Sequence, residues 1–170
     1  MSIKFAILTV SDRSSRGLRE DLSGPVLQGA ATDYGWEVTQ TDIVPDEISA
    51  IEERLCHWSD SEKINVILTT GGTGFTPRDV TPEATQAVLD RNAPGLAEAM
   101  RAGSLTITPH AMLSRAVAGI RKKTLIINLP GSPKGALENF RIIAPVLPHA
   151  VQLLENDSEA EENHQRPLAA

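Results

Sequence analysis

The stretch that decides the fold reads Asn65-Val66-Ile67-Leu68-Thr69-Thr70-Gly71-Gly72-Thr73-Gly74, and it continues as Phe75-Thr76-Pro77-Arg78-Asp79-Val80-Thr81-Pro82. An apolar run rich in β-branched residues is typical of a strand that is buried on both faces of a parallel sheet. Glycine, which ends this run, lets the backbone turn with positive φ and lets a ligand approach the amide groups. The stretch therefore predicts a buried strand that ends in an anion-binding turn.

A helix start is predicted shortly after this turn. Thr81 is a typical N-cap, Pro82 suits the first helical position, and Glu83 suits the first turn. Asp79 lies between the glycine turn and the helix, so a carboxylate stands beside the expected phosphate site. We therefore expect a phosphate-bearing ligand and a metal ion to meet here.

Strands and helices alternate in the first half of the chain. Strands are predicted over residues 5–10 and 36–44, ahead of the glycine-terminated strand. Helical spacing follows each of these two strands, first from Ser23 to a left-handed cap at Gly35 and then over residues 48–58. This βαβαβ pattern predicts an α/β fold with a parallel sheet covered on both faces.

The second half adds a hairpin. A helix from Thr81 to about Arg91 precedes a short helix that begins near Pro94. Residues 116–120 and 124–129 have the pattern of two strands joined by three charged residues. This hairpin places one antiparallel strand in a mostly parallel sheet.

A long helical stretch closes the domain. It covers residues 136–154, and Pro145 and Pro148 must kink or divide it. We expect residues 1–155 to form a single domain. Residues 156–170 carry four acidic side chains and few apolar ones, which predicts a disordered acidic tail.

Composition restricts the class of function. The net charge of −6 and the pI near 5.2 argue against a general binder of nucleic acid or membrane surfaces. A single cysteine excludes an intrachain disulfide, and the four histidines are scattered without the spacing of metal ligands. Because the sequence shows neither a secretion signal nor an apolar run of membrane length, we expect a cytoplasmic location.

Four predicted strands end in loops of similar polar character. The carboxyl ends of parallel strands lie at one edge of a sheet, where ligands bind. The loops can therefore supply phosphate-binding amides and hydroxyls, cations from Lys134 and from Arg13 or Arg115, and carboxylates for a hard cation. Mg²⁺ commonly takes one or two carboxylates together with substrate phosphates, which suits Asp46 and Asp79. The loops are Ser11-Asp12-Arg13, Pro45-Asp46-Glu47, Gly71-Gly72-Thr73-Gly74 with Asp79, and Pro130-Gly131-Ser132-Pro133-Lys134.

Each of these signals also has a simpler explanation. A glycine turn alone is more often a tight strand-to-helix connection than a phosphate site. Asp46 could cap the helix that follows it. Lys134 and the arginines could be ordinary surface charges. The coincidence of all four loops at one predicted edge favours a Mg²⁺-dependent phosphoryl- or nucleotidyl-transfer site.

The motifs together resemble a known family. Its signatures match Thr69-Thr70-Gly71-Gly72-Thr73-Gly74, Arg78-Asp79-Val80-Thr81-Pro82-Glu83-Ala84-Thr85, Leu113-Ser114-Arg115 and Asn128-Leu129-Pro130-Gly131-Ser132-Pro133-Lys134. From about Ile3 to Leu154 the chain is similar to molybdopterin adenylyltransferases of the MogA/MoaB type and to the G domains of Cnx and gephyrin. The resemblance implies a three-layer α/β/α fold and a homotrimer. It also implies Mg²⁺-dependent transfer of adenylate from ATP to molybdopterin, with release of pyrophosphate.

The resemblance also implies roles for particular residues. Asp46 and Asp79 correspond to the family's paired aspartates, with roles in catalysis and in Mg²⁺ binding. The nucleotide and the pterin phosphate are expected at Ser11, Asp12, Gly71, Gly72, Thr73, Gly74, Ser114, Arg115, Pro130, Gly131, Ser132, Pro133 and Lys134. The attacking group would be the anionic phosphate of the pterin, so no strong general base is required.

Two other functions share this fold. Some MoaB-type relatives lack adenylylating activity, so a non-catalytic carrier or scaffold that binds molybdopterin is one alternative. A molybdate-insertion role is another, and a separate insertion enzyme is a possible partner. The intact Asp46 and Asp79 motifs favour the adenylyltransferase.

Overall fold

The computed structural model describes residues 2–61 and 63–155. In chain order the elements are β1 (Lys4–Val10), α1 (Asp12–Ser15), α2 (Ser23–Asp33), β2 (Glu37–Val44), α3 (Ile48–Asp60), β3 (Val66–Thr70), α4 (Thr81–Val88), β4 (Arg91–Asn92), α5 (Pro94–Leu105), a 3-10 helix (Pro109–Leu113), β5 (Ala118–Arg121), β6 (Thr124–Leu129), α6 (Pro133–Ile143), a 3-10 turn (Ala144–Val146) and α7 (Leu147–Leu154). The predicted βαβαβ half and the later hairpin are both present.

The six strands form one sheet in the order β2-β1-β3-β6-β5-β4. The pairs β1/β2, β1/β3 and β3/β6 are parallel, whereas β5 is antiparallel to both of its neighbours. The predicted single antiparallel strand is therefore confirmed. Because β2, β1, β3 and β6 are adjacent and parallel, their carboxyl ends and the four polar loops lie along one edge.

Alternate residues of the central strands face two separate cores. Phe5 and Ile7 of β1 belong to a core formed with α2, α5, α6 and α7. Ala6 and Leu8 face the opposite side and pack against α3 and α4. Since every residue of β3 is buried, the sheet is covered on both faces, as its continuous apolar run predicts. The layers are α/β/α.

Three predicted helix boundaries are wrong. Val80, not Thr81, is the N-cap of α4, because the Thr81 hydroxyl donates a hydrogen bond to the Gly71 carbonyl instead of accepting one from the first turn. The same helix ends at Val88 rather than near Arg91, and residues 91–92 pair with β5. The last helical stretch begins at Pro133 rather than at residue 136, because the Ser132 hydroxyl caps it.

Pro145 and Pro148 divide the closing stretch as predicted. Pro145 lies in the 3-10 turn between α6 and α7, and Pro148 occupies the first turn of α7. The predicted acidic tail, residues 156–170, lies outside the described residues. Within the described residues, no helix combines the length and the apolar character needed to span a membrane.

Candidate active-site cleft

A polar cleft of about 600 Å³ lies at the carboxyl edge of the sheet. We term it the main cleft. It brings together residues from all four predicted loops. They include Ser11, Asp12, Asp46, Gly71, Gly72, Asp79, Gly131, Ser132 and Pro133. The adjacency of β2, β1, β3 and β6 is what gathers loops that are far apart in the chain.

Asp46 is tied to the loop after β1 by a reciprocal pair of hydrogen bonds. Its Oδ2 accepts from the Asp12 amide at 2.7 Å, and its own amide donates to Asp12 Oδ1 at 3.1 Å. The N-cap of α3 is Glu47, and no side chain caps that helix. The alternative in which Asp46 is only a helix cap is therefore wrong. Its carboxylate is instead held in the main cleft.

Asp12 is neutralised by Arg78. The guanidinium donates from Nε and Nη2 to the two carboxylate oxygens at 2.9 and 2.8 Å. These bonds, made by the positive charge of Arg78, lower the pKa of Asp12. Because Arg78 precedes Asp79, the ion pair also joins the Asp79 loop to the loops of Asp12 and Asp46.

Asp46 and Asp79 each keep one carboxylate oxygen available. Asp79 Oδ2 accepts from the Thr76 amide at 2.8 Å, as Asp46 Oδ2 does from the Asp12 amide. Neither Oδ1 atom has a hydrogen-bond donor among the described residues. Two anchored carboxylates with free oxygens suit Mg²⁺, which prefers hard oxygen ligands and completes its shell with water and phosphate. Within residues 2–61 and 63–155, no group of three or more His, Cys, Asp or Glu side chains could hold a metal ion.

Burial raises the pKa of Asp46 above its ordinary value of 3.8. The Asp12 amide and the charge of Arg78 oppose this rise, whereas the charges of Asp12 and Asp79 add to it. A carboxylate whose ionisation is disfavoured in the folded state gains from a neighbouring cation. The electrostatics of the cleft therefore favour a bound cation beside Asp46.

Asp46→Asn is expected to raise Tm at neutral pH without metal, because it removes a negative charge whose burial is unfavourable. An acid with a raised folded pKa destabilises the protein once it is ionised. The advantage of Asn is thus largest above the raised pKa and disappears below 3.8. Thermal melts of both proteins in EDTA across this pH range measure it. An equal gain at low pH would contradict the electrostatic cause.

The glycine turn adopts the predicted left-handed conformations. Gly71 and Gly72 have φ of 104° and 65°. A Cβ on Gly71 would lie 2.3 Å from the Val10 carbonyl oxygen, and one on Gly72 would lie 2.3 Å from Thr81 Oγ1 and 3.1 Å from Asp46 Oδ1. Glycine is therefore required both for the turn and for its close approach to β1 and to Thr81.

Some predicted binding residues lie in a second cavity, which we term the side cleft. It measures about 310 Å³ and lies on the other side of Ser132, which lines both cavities. Its wall includes Thr73, Gly74, Ser114 and Pro130, together with residues of α5, the 3-10 helix and α6. The predicted binding set is thus divided between two adjacent cavities.

Of the three candidate cations, Arg13 lines the main cleft, whereas Arg115 and Lys134 lie outside both linings. The Arg115 guanidinium donates from Nε to the Gly74 carbonyl at 2.7 Å, and it also bonds the Asp79 carbonyl and the Glu83 carboxylate. The bond from Arg115 lowers the pKa of Glu83. Arg115 therefore stabilises the Asp79 loop through its main-chain carbonyls and does not face either cavity. Lys134 is 80% exposed at the start of α6, with Nζ 3.8 Å from Glu138.

The sequence matches a family of known proteins. The model of the family described as "Probable molybdopterin binding domain" matches residues 6–149. The chain belongs to this family.

Relatives of this molybdopterin-binding domain cover nearly its whole length. A protein of Helicobacter pylori named molybdopterin adenylyltransferase is 43% identical over 90% of this chain and 88% of the relative. Gephyrin of Dictyostelium discoideum is 47% identical over 88% of this chain, but the chain spans only 22% of gephyrin. The crystal structure of the molybdopterin biosynthesis enzyme MoaB of Thermus thermophilus superposes with a TM-score of 0.86. It is 50% identical over 91% of this chain and 98% of the MoaB chain.

Several residues of the main cleft are not predicted from the sequence. Arg78 was visible beside Asp79, but its partner Asp12 lies 66 positions away, and only the fold joins them. Asp21 accepts from the Thr9 hydroxyl and from the amides of Ser23 and Gly24 at the start of α2. An Asp two residues before Ser23 was the available signal, since Asp is a common capping residue.

Proposed function

We propose that the protein is a molybdopterin adenylyltransferase, which converts ATP and molybdopterin into adenylyl-molybdopterin and pyrophosphate. The proposal rests chiefly on one observation: the anchored carboxylates of Asp46 and Asp79 face the glycine turn within one polar cleft. Similarity over about nine-tenths of this chain to proteins named for this activity supports it. A phosphate cradle beside two carboxylates suits the joining of two polyanions, whose mutual repulsion is the main barrier.

The reaction makes one bond and breaks one. An oxygen of the molybdopterin phosphate attacks the α-phosphorus of ATP, and the bond from that phosphorus to the oxygen bridging the α- and β-phosphates breaks. Pyrophosphate leaves with the bonding electrons. The attacking oxygen is already anionic at neutral pH, so the site needs to position and neutralise charge rather than remove a proton.

We assign ATP to the main cleft. The free Oδ1 atoms of Asp46 and Asp79 would hold Mg²⁺, which supplies charge neutralisation for the phosphates. Ser11, Asp12, Gly71 and Gly72 line the nucleotide, and Arg78 keeps Asp12 from adding a third uncompensated negative charge. Lys134, whose Nζ lies near Glu138 in the structure, would swing from the exposed start of α6 to reach the phosphates.

We assign the pterin to the side cleft. Its lining mixes apolar side chains such as Leu113 with the polar groups of Ser104, Ser114 and Asn139, which suits a flat ring with a hydrogen-bonding edge. Ser132 lines both cavities, so a pterin phosphate at this residue would point toward the nucleotide. Thr73, Gly74 and Pro130 also line the side cleft, and Arg115 holds the Gly74 carbonyl by a hydrogen bond.

The family resemblance also suggests an oligomeric state and a cellular location. We infer a homotrimer in the cytoplasm, acting ahead of a separate enzyme that inserts molybdate. Sedimentation velocity measures the trimer directly, and a monomer at working concentration would contradict it.

The deciding assay mixes purified protein, molybdopterin and Mg²⁺-ATP. We expect adenylylated pterin and pyrophosphate in equal amounts, with no product when EDTA removes the metal. Detection of the pterin product by mass spectrometry avoids confusion with a contaminating ATPase. Binding of molybdopterin without any product would overturn the enzymatic proposal and favour a non-catalytic carrier.

A further inference from the structure

Three buried hydroxyl groups hold the backbone of the two glycine loops. Ser23 Oγ donates to the Gly131 carbonyl at 2.7 Å, and Thr70 Oγ1 donates to the Pro130 carbonyl at 2.7 Å. Thr81 Oγ1 donates to the Gly71 carbonyl at 2.9 Å. The three residues are at most 5% exposed. None of them belongs to the set of side chains that the mechanism uses.

Each of these bonds fixes the direction of an amide group. In a planar trans peptide the carbonyl and the next N–H point in opposite directions. When a hydroxyl holds a carbonyl, the N–H of the next residue therefore points away from that hydroxyl. The carbonyls of Gly71, Pro130 and Gly131 fix in this way the N–H groups of Gly72, Gly131 and Ser132, respectively. Within the described residues these three N–H groups have no protein acceptor, so they are available to a ligand in the cleft.

The three amides belong to one surface. Gly72, Gly131 and Ser132 all line the main cleft. Their loops touch, because a Cβ built on Gly131 would lie 3.1 Å from the Gly71 Cα. Preorganised N–H groups are strong ligands for an anion, since they need no reorganisation when the charge arrives.

We propose that Ser23, Thr70 and Thr81 are positioning residues that aim the amides of Gly72, Gly131 and Ser132 at a phosphate group. The anion is a phosphate of the nucleotide or of released pyrophosphate, and this identity rests on the proposed function. Loss of a hydroxyl frees its peptide plane to rotate, so the amide no longer points steadily into the cleft. The effect is on anion binding, through the backbone.

The test removes each hydroxyl with little change of shape. The variants are Ser23→Ala, Thr70→Val and Thr81→Val, with Thr70→Ser and Thr81→Ser as rescues that keep the hydroxyl. The matched control is Thr124→Val, because the buried Thr124 hydroxyl also donates to a carbonyl, that of Ile64 at 2.7 Å, but at the amino end of β6. The probe is inorganic pyrophosphate at constant Mg²⁺, with Kd measured by titration calorimetry.

We expect each hydroxyl-free variant to bind pyrophosphate about tenfold more weakly, since hydrogen bonds to charged groups are stronger than neutral ones. The serine variants should bind nearly as tightly as the wild type. Thr124→Val should lose about as much thermal stability as the hydroxyl-free variants, but its Kd for pyrophosphate should equal that of the wild type. In ¹⁵N NMR spectra of the wild type, the amide protons of Gly72, Gly131 and Ser132 should move downfield on binding.

Two results would overturn the inference. One is equal affinity in all variants, which would leave the adenylylation assay, and thus the proposed function, unaffected. The other is a wild type that does not bind pyrophosphate or shows no shift at these three amides. If binding is normal in every variant but no adenylylated product forms, the proposed function fails as well, and on separate evidence.

Discussion

Asp79→Asn is expected to lower kcat for adenylylation by about 10²–10³-fold or more, as the loss of one preorganised electrostatic group commonly does. The Asp79 carboxylate has one oxygen held by the Thr76 amide and one free for a metal ion. An Asn oxygen can keep the first contact, so the loop should stay folded while the charge is lost. Because the side chain lies in the main cleft and not in the side cleft, the Kd for molybdopterin should change little.

Asp90→Asn is the matched control for this variant. Asp90 also holds a main-chain amide through its carboxylate, that of Lys122 at 2.6 Å, but it lies beside β4, away from the cleft. We expect full activity from it. Single-turnover kinetics and fluorescence titration with molybdopterin separate the chemical step from binding. Near-normal kcat in Asp79→Asn, or an equal loss in Asp90→Asn, would refute the role of Asp79.

Local sequence patterns predict most of the fold. The apolar run of residues 66–70 predicted a buried strand, and the two strands around Arg121 and Lys122 predicted the antiparallel hairpin, because periodicity and turn residues act over short distances. The helix predicted to continue to Arg91 shows the limit. Arg91 and Asn92 are exposed and pair with β5 instead. Their partners lie almost 30 positions later in the chain, so the local sequence does not reveal the pairing.

The site was predictable to the extent that strand ends share an edge. The order of the strands brings Asp46 and Asp79 into one cleft, and no single segment of the sequence reveals that order. Arg115 shows what the sequence could not supply. A basic residue in a motif that resembles the family's suggested a phosphate ligand, but its partners are the Gly74 and Asp79 carbonyls and the Glu83 carboxylate. Whether a cation faces a cavity or braces a loop depends on long-range packing.

Gly71→Ala is expected to destabilise the protein by about 3 kcal/mol or more, from positive-φ strain and from steric overlap together. Its φ of 104° is rarely adopted by residues with a side chain, and a Cβ would lie 2.3 Å from the Val10 carbonyl oxygen. That oxygen belongs to the buried strand β1, so it cannot move aside. The corresponding fall in Tm is about 6–12 °C for a domain of this size.

Two other glycines separate these causes. Gly35 has a φ of 75° but open space where a Cβ would lie, so Gly35→Ala should cost about 1–2 kcal/mol from backbone strain alone. Gly29 lies in α2 with helical backbone and open space, so Gly29→Ala should stabilise by about 0.5–1 kcal/mol. Thermal melts should therefore rank Gly29→Ala above the wild type, then Gly35→Ala, then Gly71→Ala. If Gly71→Ala and Gly35→Ala had the same Tm, the steric overlap with β1 would contribute nothing. That result would contradict the close packing of the glycine turn on β1.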